Sequence, residues 1–448
     1  MVLVAAAQCL VGTIGGSESA WRMDRPYYAD YWYYAGLAQA LLTDFPPHNP
    51  VFAGRLLSQY NFHLAPLAAL SLVMSPYLAM RLLNVLYGVL LLLLLRRYLP
   101  HSFGLAGLCI LATAPLYYRL NPLSIDLMTR GFHHAPFLLL AVAAMLETQR
   151  PILKGAAIFL LPWAHGLMAL SFTPMVGFAC RSQWQPYWLV LTGGFISAGA
   201  GVWLISGGES GGELLQSLGW RPLEPLLHLF PLIIPLLYVR RSLWLIGAAS
   251  AWLMAAVVGW NRFYFLFGLN FALAMASVEA VLSDSRQKRN AAAVCIVAAI
   301  VGAVIGGYRQ LYAHEPYDRR PVAAALAWIK SNTPRNAVFL QAPAPAVLLD
   351  NDEPYRRGGF GYWLLETRPL FIAYPPWATT IGLPGGLRAM GAVAYFQGEA
   401  PLPQGIDYVF YGPMEQAWFP SFSPRSATTV YRDEHVIIFK NDRRPGVE

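Results

Sequence analysis

Two acidic residues and a run of tyrosines near the start of the chain are the residues best suited to chemistry. Asp24 and Asp30 border an aromatic stretch that includes Tyr33 and Tyr34. A carboxylate can take a proton as a general base. An acidic side chain in such apolar surroundings is costly without a role. We therefore predict that Asp30 is catalytic, with Asp24 in reserve; a solvated loop acid or a helix N-cap is the structural alternative.

A second group of polar residues follows about 90 residues later. Asp126, Arg130, His133 and His134 lie within nine residues of one another. Asp126 is predicted to be a second catalytic acid, and the alternative is an ion pair with a neighbouring arginine. Metal binding by the two histidines would need further ligands. A divalent metal ion is therefore left open, and no cofactor is predicted with certainty.

Three isolated residues complete the candidate set. Arg262, in the stretch Gly-Trp-Asn-Arg-Phe-Tyr, could neutralise a phosphate group, or could serve as an interfacial anchor that snorkels to lipid headgroups. His165 and His63 are secondary substrate-binding candidates. A single histidine without metal-ligand spacing is more often structural, which applies most to His63. Tyr33 and Tyr34 fit both an interfacial aromatic belt and a sugar-stacking surface.

The composition indicates that lipid solvates much of the chain. Of 448 residues, 56% are hydrophobic and only 12% are charged, with 14 Trp, 24 Tyr and 23 Phe. Soluble domains carry about 25% charged residues. The net charge of +8 is dispersed along the sequence, so the basic stripe of a nucleic-acid-binding protein is missing. We expect an integral membrane protein without a nucleic-acid partner.

Apolar windows long enough to cross a bilayer predict about eleven transmembrane helices. The approximate spans are 1–17, 80–97, 102–118, 131–148, 153–169, 170–181, 186–206, 225–240, 242–260, 263–283 and 290–307. With the N-terminus inside, every short inner turn is basic, as the positive-inside rule requires. Treating 153–181 as one kinked helix would invert all later turns. Eleven crossings therefore place the C-terminus outside.

Two outer regions are large enough to carry a function. Residues 1–307 form the predicted polytopic domain, with a long first outer loop at about 15–77 that includes an interfacial helix near 64–74. Residues 308–448 form the predicted extracytoplasmic tail. A helical period at 321–330 and strand patterns at 337–341, 406–411 and 434–440 predict a small α/β domain. Because the acids cluster outside, we expect any active site at that face.

The layout of the first outer loop resembles the type C (GT-C) membrane glycosyltransferases, which include protein mannosyltransferases and aminoarabinose transferases. In that pattern an Asp after the first helix precedes an aromatic residue and Ala-x-x-Leu. Asp30, Tyr33 or Tyr34, and Ala38 with Leu41 or Leu42 match it. An Arg-Leu pair opens the second span, as at 81–82, and residues 326–339 resemble the start of the outer domain in bacterial members. The motifs are short, but the layout covers most of the chain.

The resemblance implies an all-α membrane fold and a polyprenyl-phosphate-linked sugar as donor, with an inverting transfer to an external lipid, glycan or protein. Asp30 would take the proton of the acceptor hydroxyl, and Asp126 matches a second acidic position of the family. Arg262 resembles the family's Arg-Tyr placement for the leaving phosphate. His165 departs from the pattern, since many relatives have lysine there. The implied location is the bacterial inner (cytoplasmic) membrane.

Two other functions compete with the transferase. A catalytically inactive relative could serve as a structural or assembly subunit of a membrane complex. A transporter should show two similar halves and acids within the membrane. The acids inside the predicted spans are Glu147 and Glu279, each near an inner end, and no half-repeat is evident. The acids of the outer loops favour the glycosyltransferase.

Overall fold

The structure is a computed structural model that describes much, but not all, of the chain. The described residues are 29–43, 47–56, 63–99, 134–147, 149–181, 184–206, 223, 242–257, 262–282, 285–297, 320–343, 363–373, 385–424 and 427–442.

Helices dominate the first 300 residues. Two helices belong to the segment that the sequence predicts to be the first outer loop: α1 (Ala29–Thr43) and α2 (Leu64–Ser71). The helical bundle follows with α3 (Pro76–Tyr98), α4 (His134–Leu146), α5 (Pro151–Ala164), α6 (Gly166–Ala179), α7 (Trp184–Ser206), α8 (Ser242–Val257), α9 (Arg262–Val281) and α10 (286–297).

The C-terminal part mixes helices and strands, as predicted. Its elements are α11 (Arg320–Asn332), β1 (Phe339–Leu340), a 3₁₀ turn (Trp363–Glu366), α12 (Gly385–Phe396), β2 (Tyr408–Tyr411), α13 (Pro413–Trp418), β3 (Ala427–Arg432) and β4 (Ile437–Asn441). The helix predicted at 321–330 and the three predicted strands have counterparts at α11, β1, β2 and β4. Strand β3 was not predicted, because both of its faces carry exposed or half-exposed residues.

Among the described residues, none of the helices combines the length and apolar character needed to cross a membrane. The count of eleven crossings stays a prediction.

Helices α3 and α4 run in the same direction and end together. Helix α3 begins at Pro76, where Ser75 Oγ accepts the N–H of Leu78 at 3.3 Å and so caps the first turn. At the other end Arg97 donates to the Gln149 side chain at 2.8 Å and lies 3.6 Å from the carboxylate of Glu147, just beyond α4. This Arg97–Glu147 contact defines what we call the basic end of the bundle.

Helices α5 and α6 form a tight hairpin that reverses at His165. Lys154, in the first turn of α5, contacts Cys180, which follows the last turn of α6. A continuous helix would separate these two residues by about 39 Å, at 1.5 Å per residue. His165 has an extended backbone, with φ −167° and ψ 106°, which interrupts the helical path. The sequence-based choice of two segments over one kinked helix agrees with this reversal.

Helix α7 runs parallel to α5. The Lys154 ammonium lies 5.4 Å from the centre of the Tyr187 ring, and Trp163 Nε1 donates to Ser197 Oγ at 3.2 Å. The paired residues advance in the same order along both helices. Helices α5 and α7 therefore begin at the basic end, and α6 returns to it.

A glycine allows α5 and α7 to approach closely. A Cβ atom added at Gly194 would lie 2.7 Å from the carbonyl oxygen of Phe159. Because that oxygen belongs to the backbone, a side chain there would push the helices apart. Small residues serve this purpose at helix interfaces in membranes.

We expect Gly194→Ala to lower the unfolding free energy of the bundle by about 1–3 kcal/mol, the range for overpacked sites. The measurement is unfolding of the full chain in mixed micelles. Gly193→Ala is the matched control, since no atom lies within 4 Å of its added Cβ. Equal stability of the two variants would show that α5 and α7 do not pack as described.

The tail contains a twisted sheet with strand order β1-β2-β4-β3. Strands β1 and β2 are parallel, whereas β2–β4 and β4–β3 are antiparallel. Alternate residues of a strand point to opposite faces. Tyr408 and Phe410 pack on one face with α11, while Val409 and Tyr411 pack on the other with α12.

The first outer loop completes this sheet. Residues 369–373 lie beside β1, where Phe339 N donates to Pro369 O at 3.0 Å and Phe371 N to Phe339 O at 2.8 Å. Residues 50–53 lie beside that segment in turn, since Leu370 N donates to Pro50 O at 2.8 Å and Ala53 N to Leu370 O at 3.0 Å. A segment of the loop thus extends the edge of a sheet that is formed about 300 residues later.

One hydrophobic core joins the loop helices to the tail. Its members come from α1, α2, the first turns of α3, α11 and one face of the sheet, and they include Leu37, Leu67, Met80, Leu326 and Phe339. Helix α2 buries Leu64, Leu67 and Ala68 in this core. The boundary predicted at 307/308 stays a prediction, but packing continues across it.

Candidate functional site

Helix α1 carries the first predicted site residues and is held on one side by the tail. Asp30 lies in its first turn and Tyr33 in the next; their side chains are outside the described part of the structure. Tyr34 is buried, 6% exposed, in the core shared with the tail. The prediction that Tyr34 binds substrate therefore competes with an observed packing role.

His63 lies directly before α2 and is fully buried. Its ring centre is 6.1 Å from that of Tyr34, in a tilted arrangement. A histidine enclosed in this way packs α2 against α1. This is the structural role that the sequence left open for His63, and sugar contact by its side chain stays a prediction.

Three further predicted residues lie at one end of the bundle, opposite the basic end. His134 and Arg262 are the first residues of α4 and α9, although their side chains are not described. Gly247 of α8 meets Met175 of α6, while Ala251 of α8 and Ser171 of α6 both meet Gly268 of α9. Helix α8 is therefore antiparallel to α6 and leads away from the basic end, so α9, which follows it, begins at the opposite end. His165 occupies the tip of the α5–α6 hairpin at this same end.

His165 has a defined local role. Its Nδ1 atom accepts the N–H of Met168 at 3.3 Å and so caps the first turn of α6. The neutral ring then carries its proton on Nε2. This half-buried side chain thus presents a donor atom at the tip of the hairpin.

Four predicted residues cannot be placed. Asp24, Asp126, Arg130 and His133 lie outside the described residues. The arrangement of Asp30, Asp126 and Arg262 around one cavity therefore stays a prediction. Across the described part of the chain, no group of three or more His, Cys, Asp and Glu side chains is arranged to hold a metal ion.

The structure adds an arginine that the sequence did not single out. Arg388 of α12 donates from Nη1 to Ala53 O at 2.7 Å and to Phe371 O at 2.9 Å. Its guanidinium carbon lies 3.7 Å from the centre of the Phe52 ring. We call residues 50–53, 370–373 and Arg388 the loop–tail junction.

The charge of Arg388 persists in this junction. Burial, with a smaller contribution from the nearby charge of Arg55, lowers the pKa of Arg388 to about 10. The guanidinium therefore stays protonated at neutral pH. In the sequence it is one arginine in an amphipathic helix, and nothing local marks it as buried.

A buried carboxylate lies where the two parallel strands of the tail end. Glu415 is fully buried, and its oxygens accept the N–H of Ala342 at 3.1 Å and the N–H of Gly412 at 2.9 Å. Burial raises the pKa of Glu415 to about 7, although the backbone N–H groups act in the opposite direction. From the first turn of α13, this side chain therefore connects Ala342, two residues after β1, to Gly412 at the helix N-cap.

We expect the stability of the tail to fall as the pH rises from about 4.5 to about 7. The folded state keeps the Glu415 proton to a higher pH than the unfolded chain does, so in this window it binds more protons. The difference corresponds to about 3 kcal/mol at most. Above about pH 7 this contribution is constant.

The pH dependence of thermal unfolding measures this effect on the full chain. Glu415→Gln should remove the slope between pH 4.5 and 7 and add a constant loss, because an amide nitrogen cannot accept the second N–H. Glu399→Gln is the control, since Glu399 is exposed in the same domain. A slope that survives in Glu415→Gln would assign the titration to another group.

No protein-family model and no curated protein matches the sequence. Solved structures do match. ArnT from Cupriavidus metallidurans bound to undecaprenyl phosphate superimposes with a TM-score of 0.51 and 13% identity, over 98% of this chain and 97% of that chain. The same protein in the apo state gives 0.44 at 13% identity, over 97% and 98%.

An Archaeoglobus fulgidus oligosaccharyltransferase in complex with Zn and sulfate gives a TM-score of 0.46 and 16% identity, over 92% of this chain and 67% of that chain. The superposition on ArnT with undecaprenyl phosphate extends over nearly the whole of both chains and shows a common fold. The overall fold that the resemblance implied is therefore confirmed as one shared with ArnT.

Proposed function

We propose that this chain is a membrane glycosyltransferase that transfers a sugar from a polyprenyl phosphate donor to an acceptor outside the cytoplasm. The observation that carries the proposal is the fold shared with ArnT over almost the full length, in a structure of that protein bound to undecaprenyl phosphate. A fold alone does not fix an activity. The placement of the candidate residues gives independent support.

That placement concerns the two ends of the bundle. The tail packs on the first turns of α3, whereas Arg97 lies at the opposite end of the same helix, about 33 Å away for 23 residues, in contact with Glu147. His134 and Arg262, as the first residues of their helices, and His165, at the tip of its hairpin, all lie at the end away from Arg97. We assign the basic end to the cytoplasm and the tail to the outer face of an inner membrane.

Each candidate has a role in the proposed reaction. Asp30 removes the proton of the acceptor hydroxyl as that oxygen attacks the anomeric carbon, and the bond to the phosphate oxygen breaks. Arg262 stabilises the negative charge of the released polyprenyl phosphate. Asp126 is the second acid and Asp24 the reserve. Arg130, His133, His134 and His165 are the proposed donor-contacting residues.

The test uses the full chain in liposomes with a panel of undecaprenyl-phosphate-linked sugars and an envelope extract as acceptor. We expect at least one donor to release undecaprenyl phosphate with transfer of its sugar. Liposomes that contain the chain heated to inactivity are the control. Binding of undecaprenyl phosphate without turnover of any donor would favour an inactive subunit. If the chain neither binds undecaprenyl phosphate nor turns over any of the donors, the proposal is contradicted.

A further inference from the structure

Arg388 connects the tail to the first outer loop through three kinds of contact. It donates hydrogen bonds to Ala53 O of the loop and to Phe371 O of the tail, and it stacks on the Phe52 ring. A second ring, that of Phe371, lies 4.7 Å from the guanidinium carbon. Such a planar cation between two aromatic rings and two carbonyls holds both segments in one register.

The loop segment held by Arg388 is paired with the tail along its backbone. Leu370 N donates to Pro50 O, and Ala373 N donates to Val51 O at 2.9 Å. Phe52 is 1% exposed and packs with the face of the sheet that α12 covers. Residues 50–53 therefore have little freedom to move while Arg388 is in place.

Pro50 passes this constraint to α1. A Cβ added at Gly36 would lie 3.1 Å from Pro50 Cβ and 3.2 Å from the carbonyl oxygen of Leu365. The backbone of α1 thus rests directly on the loop–tail junction. Ala35, Leu37 and Ala38 on the same helix are fully buried in the shared core. Any shift of residues 50–53 must move α1.

Asp30 lies six residues before Gly36, about 9 Å along the same helix. We infer that Arg388 is a positioning residue for the transfer reaction: acting through Phe52, Ala53 and Pro50, it fixes α1 and so sets the place of Asp30. This inference rests on the proposed function. It gives the tail a part in catalysis that needs no contact with the substrate.

The expected size of the effect follows from the demands of the chemistry. A base that takes a proton in the transition state must lie within hydrogen-bond reach of it. A misplacement of about 1 Å can lower the rate about 100-fold. We therefore expect Arg388→Met to lower kcat about 10- to 100-fold, with the KM for the donor changed less than about 2-fold. Arg388→Lys, which keeps the charge and can still reach a carbonyl, should retain more activity than Arg388→Met.

Hydrogen exchange on the full chain provides a readout that does not depend on turnover. In Arg388→Met the amides of residues 47–56 and 29–43 should exchange about 10-fold faster, while those of β3 and β4 keep their protection. Arg432→Met is the matched control, since Arg432 is an exposed arginine of the same domain. It should change neither exchange nor kcat. Gly36→Val, which displaces α1 directly, should repeat the loss of kcat without loss of protection in α12.

The outcomes separate this inference from the proposed function. Unchanged exchange of residues 29–43 in Arg388→Met contradicts the inference even if the wild type is active. A rise in the donor KM with kcat unchanged also contradicts it. If Arg388→Met loses protection throughout the tail, the Arg388→Lys variant is the one that tests the inference. The inference is overturned if residues 29–43 exchange faster in Arg388→Lys while its kcat equals that of the wild type. Absence of turnover in the wild type contradicts the proposed function, and the exchange of 29–43 still tests the coupling.

Discussion

An Arg368→Met variant is expected to lose about 3–5 kcal/mol of unfolding free energy, because several buried hydrogen bonds to one charged side chain are broken together. Arg368 is 5% exposed, and its side chain contacts the C-terminal end of α11. Its Nη2 donates to Ile329 O at 3.0 Å and to Thr333 O at 2.7 Å, and its Nε donates to Thr333 Oγ1 at 2.9 Å. Ile329 O also accepts the N–H and the hydroxyl of Thr333, whereas the carbonyls of Lys330 and Thr333, at the end of the helix, receive a donor from this side chain.

The cost arises because the acceptors stay buried when the donor is removed. Each unsatisfied buried carbonyl costs about 1–3 kcal/mol. The favourable contact of a positive charge with the helix C-terminus is lost as well. Methionine fills much of the volume but donates no hydrogen bond.

Chemical denaturation of the full chain measures this loss. Arg335→Met is the matched control, because Arg335 is an exposed arginine near the same helix end. The charge of Arg335 contributes, after burial, to lowering the pKa of Arg368. Its removal should therefore leave stability unchanged or slightly higher. A loss below about 1 kcal/mol in Arg368→Met would show that the carbonyls find other donors.

The second large effect is expected for Asp30→Asn. Asparagine keeps the shape of aspartate but cannot take a proton, so kcat should fall about 100- to 10,000-fold, the usual contribution of a general base. The KM for the donor should change little, because the carboxylate acts on the acceptor. Initial rates of undecaprenyl phosphate release measure both parameters.

Asp126→Asn belongs in the same experiment. The second acid should give a smaller loss if it orients the acceptor, and the double variant separates the two contributions. Glu399→Gln, which changes an exposed acid of the tail, should keep full activity. If both Asn variants transfer at the rate of the wild type, neither carboxylate is the base and the proposed mechanism is wrong.

Local sequence patterns anticipated the elements but not their long-range partners. The helix at α1 and the period of α11 were readable, because each depends on neighbours within a few residues. A break between two helices was predicted at 169–170, and the structure has it at His165. The amphipathic pattern of residues 64–71 was also readable. The surface against which this helix packs could not be read from the sequence. In the structure Leu64 and Leu67 are buried in the core shared with the tail.

The half-buried Arg388 and the buried Glu415 show the same limit more sharply. Arg388 meets Ala53 across 335 positions, and Glu415 meets Ala342 across 73. A single sequence gives no signal for such pairs. Of these two residues, only Glu415 has a local sequence pattern that predicts a contact. It stands three residues after Gly412, at the third position of a helix, where an acid can cap the helix N-terminus. That pattern predicts a cap, whereas only the fold explains why the carboxylate is buried.

The loop–tail junction can form only late in synthesis of the chain. Residues 50–53 are synthesised roughly 300 residues before the segment at 370–373, a delay of about 15–60 s at ordinary elongation rates. During that time the loop presents a strand edge without its partner. Pro46, Pro47 and Pro50 have no N–H to offer, which limits pairing with the wrong chain. A transcript that ends before the tail would leave this edge open permanently, so truncated chains should be recognised by quality-control proteases rather than accumulate.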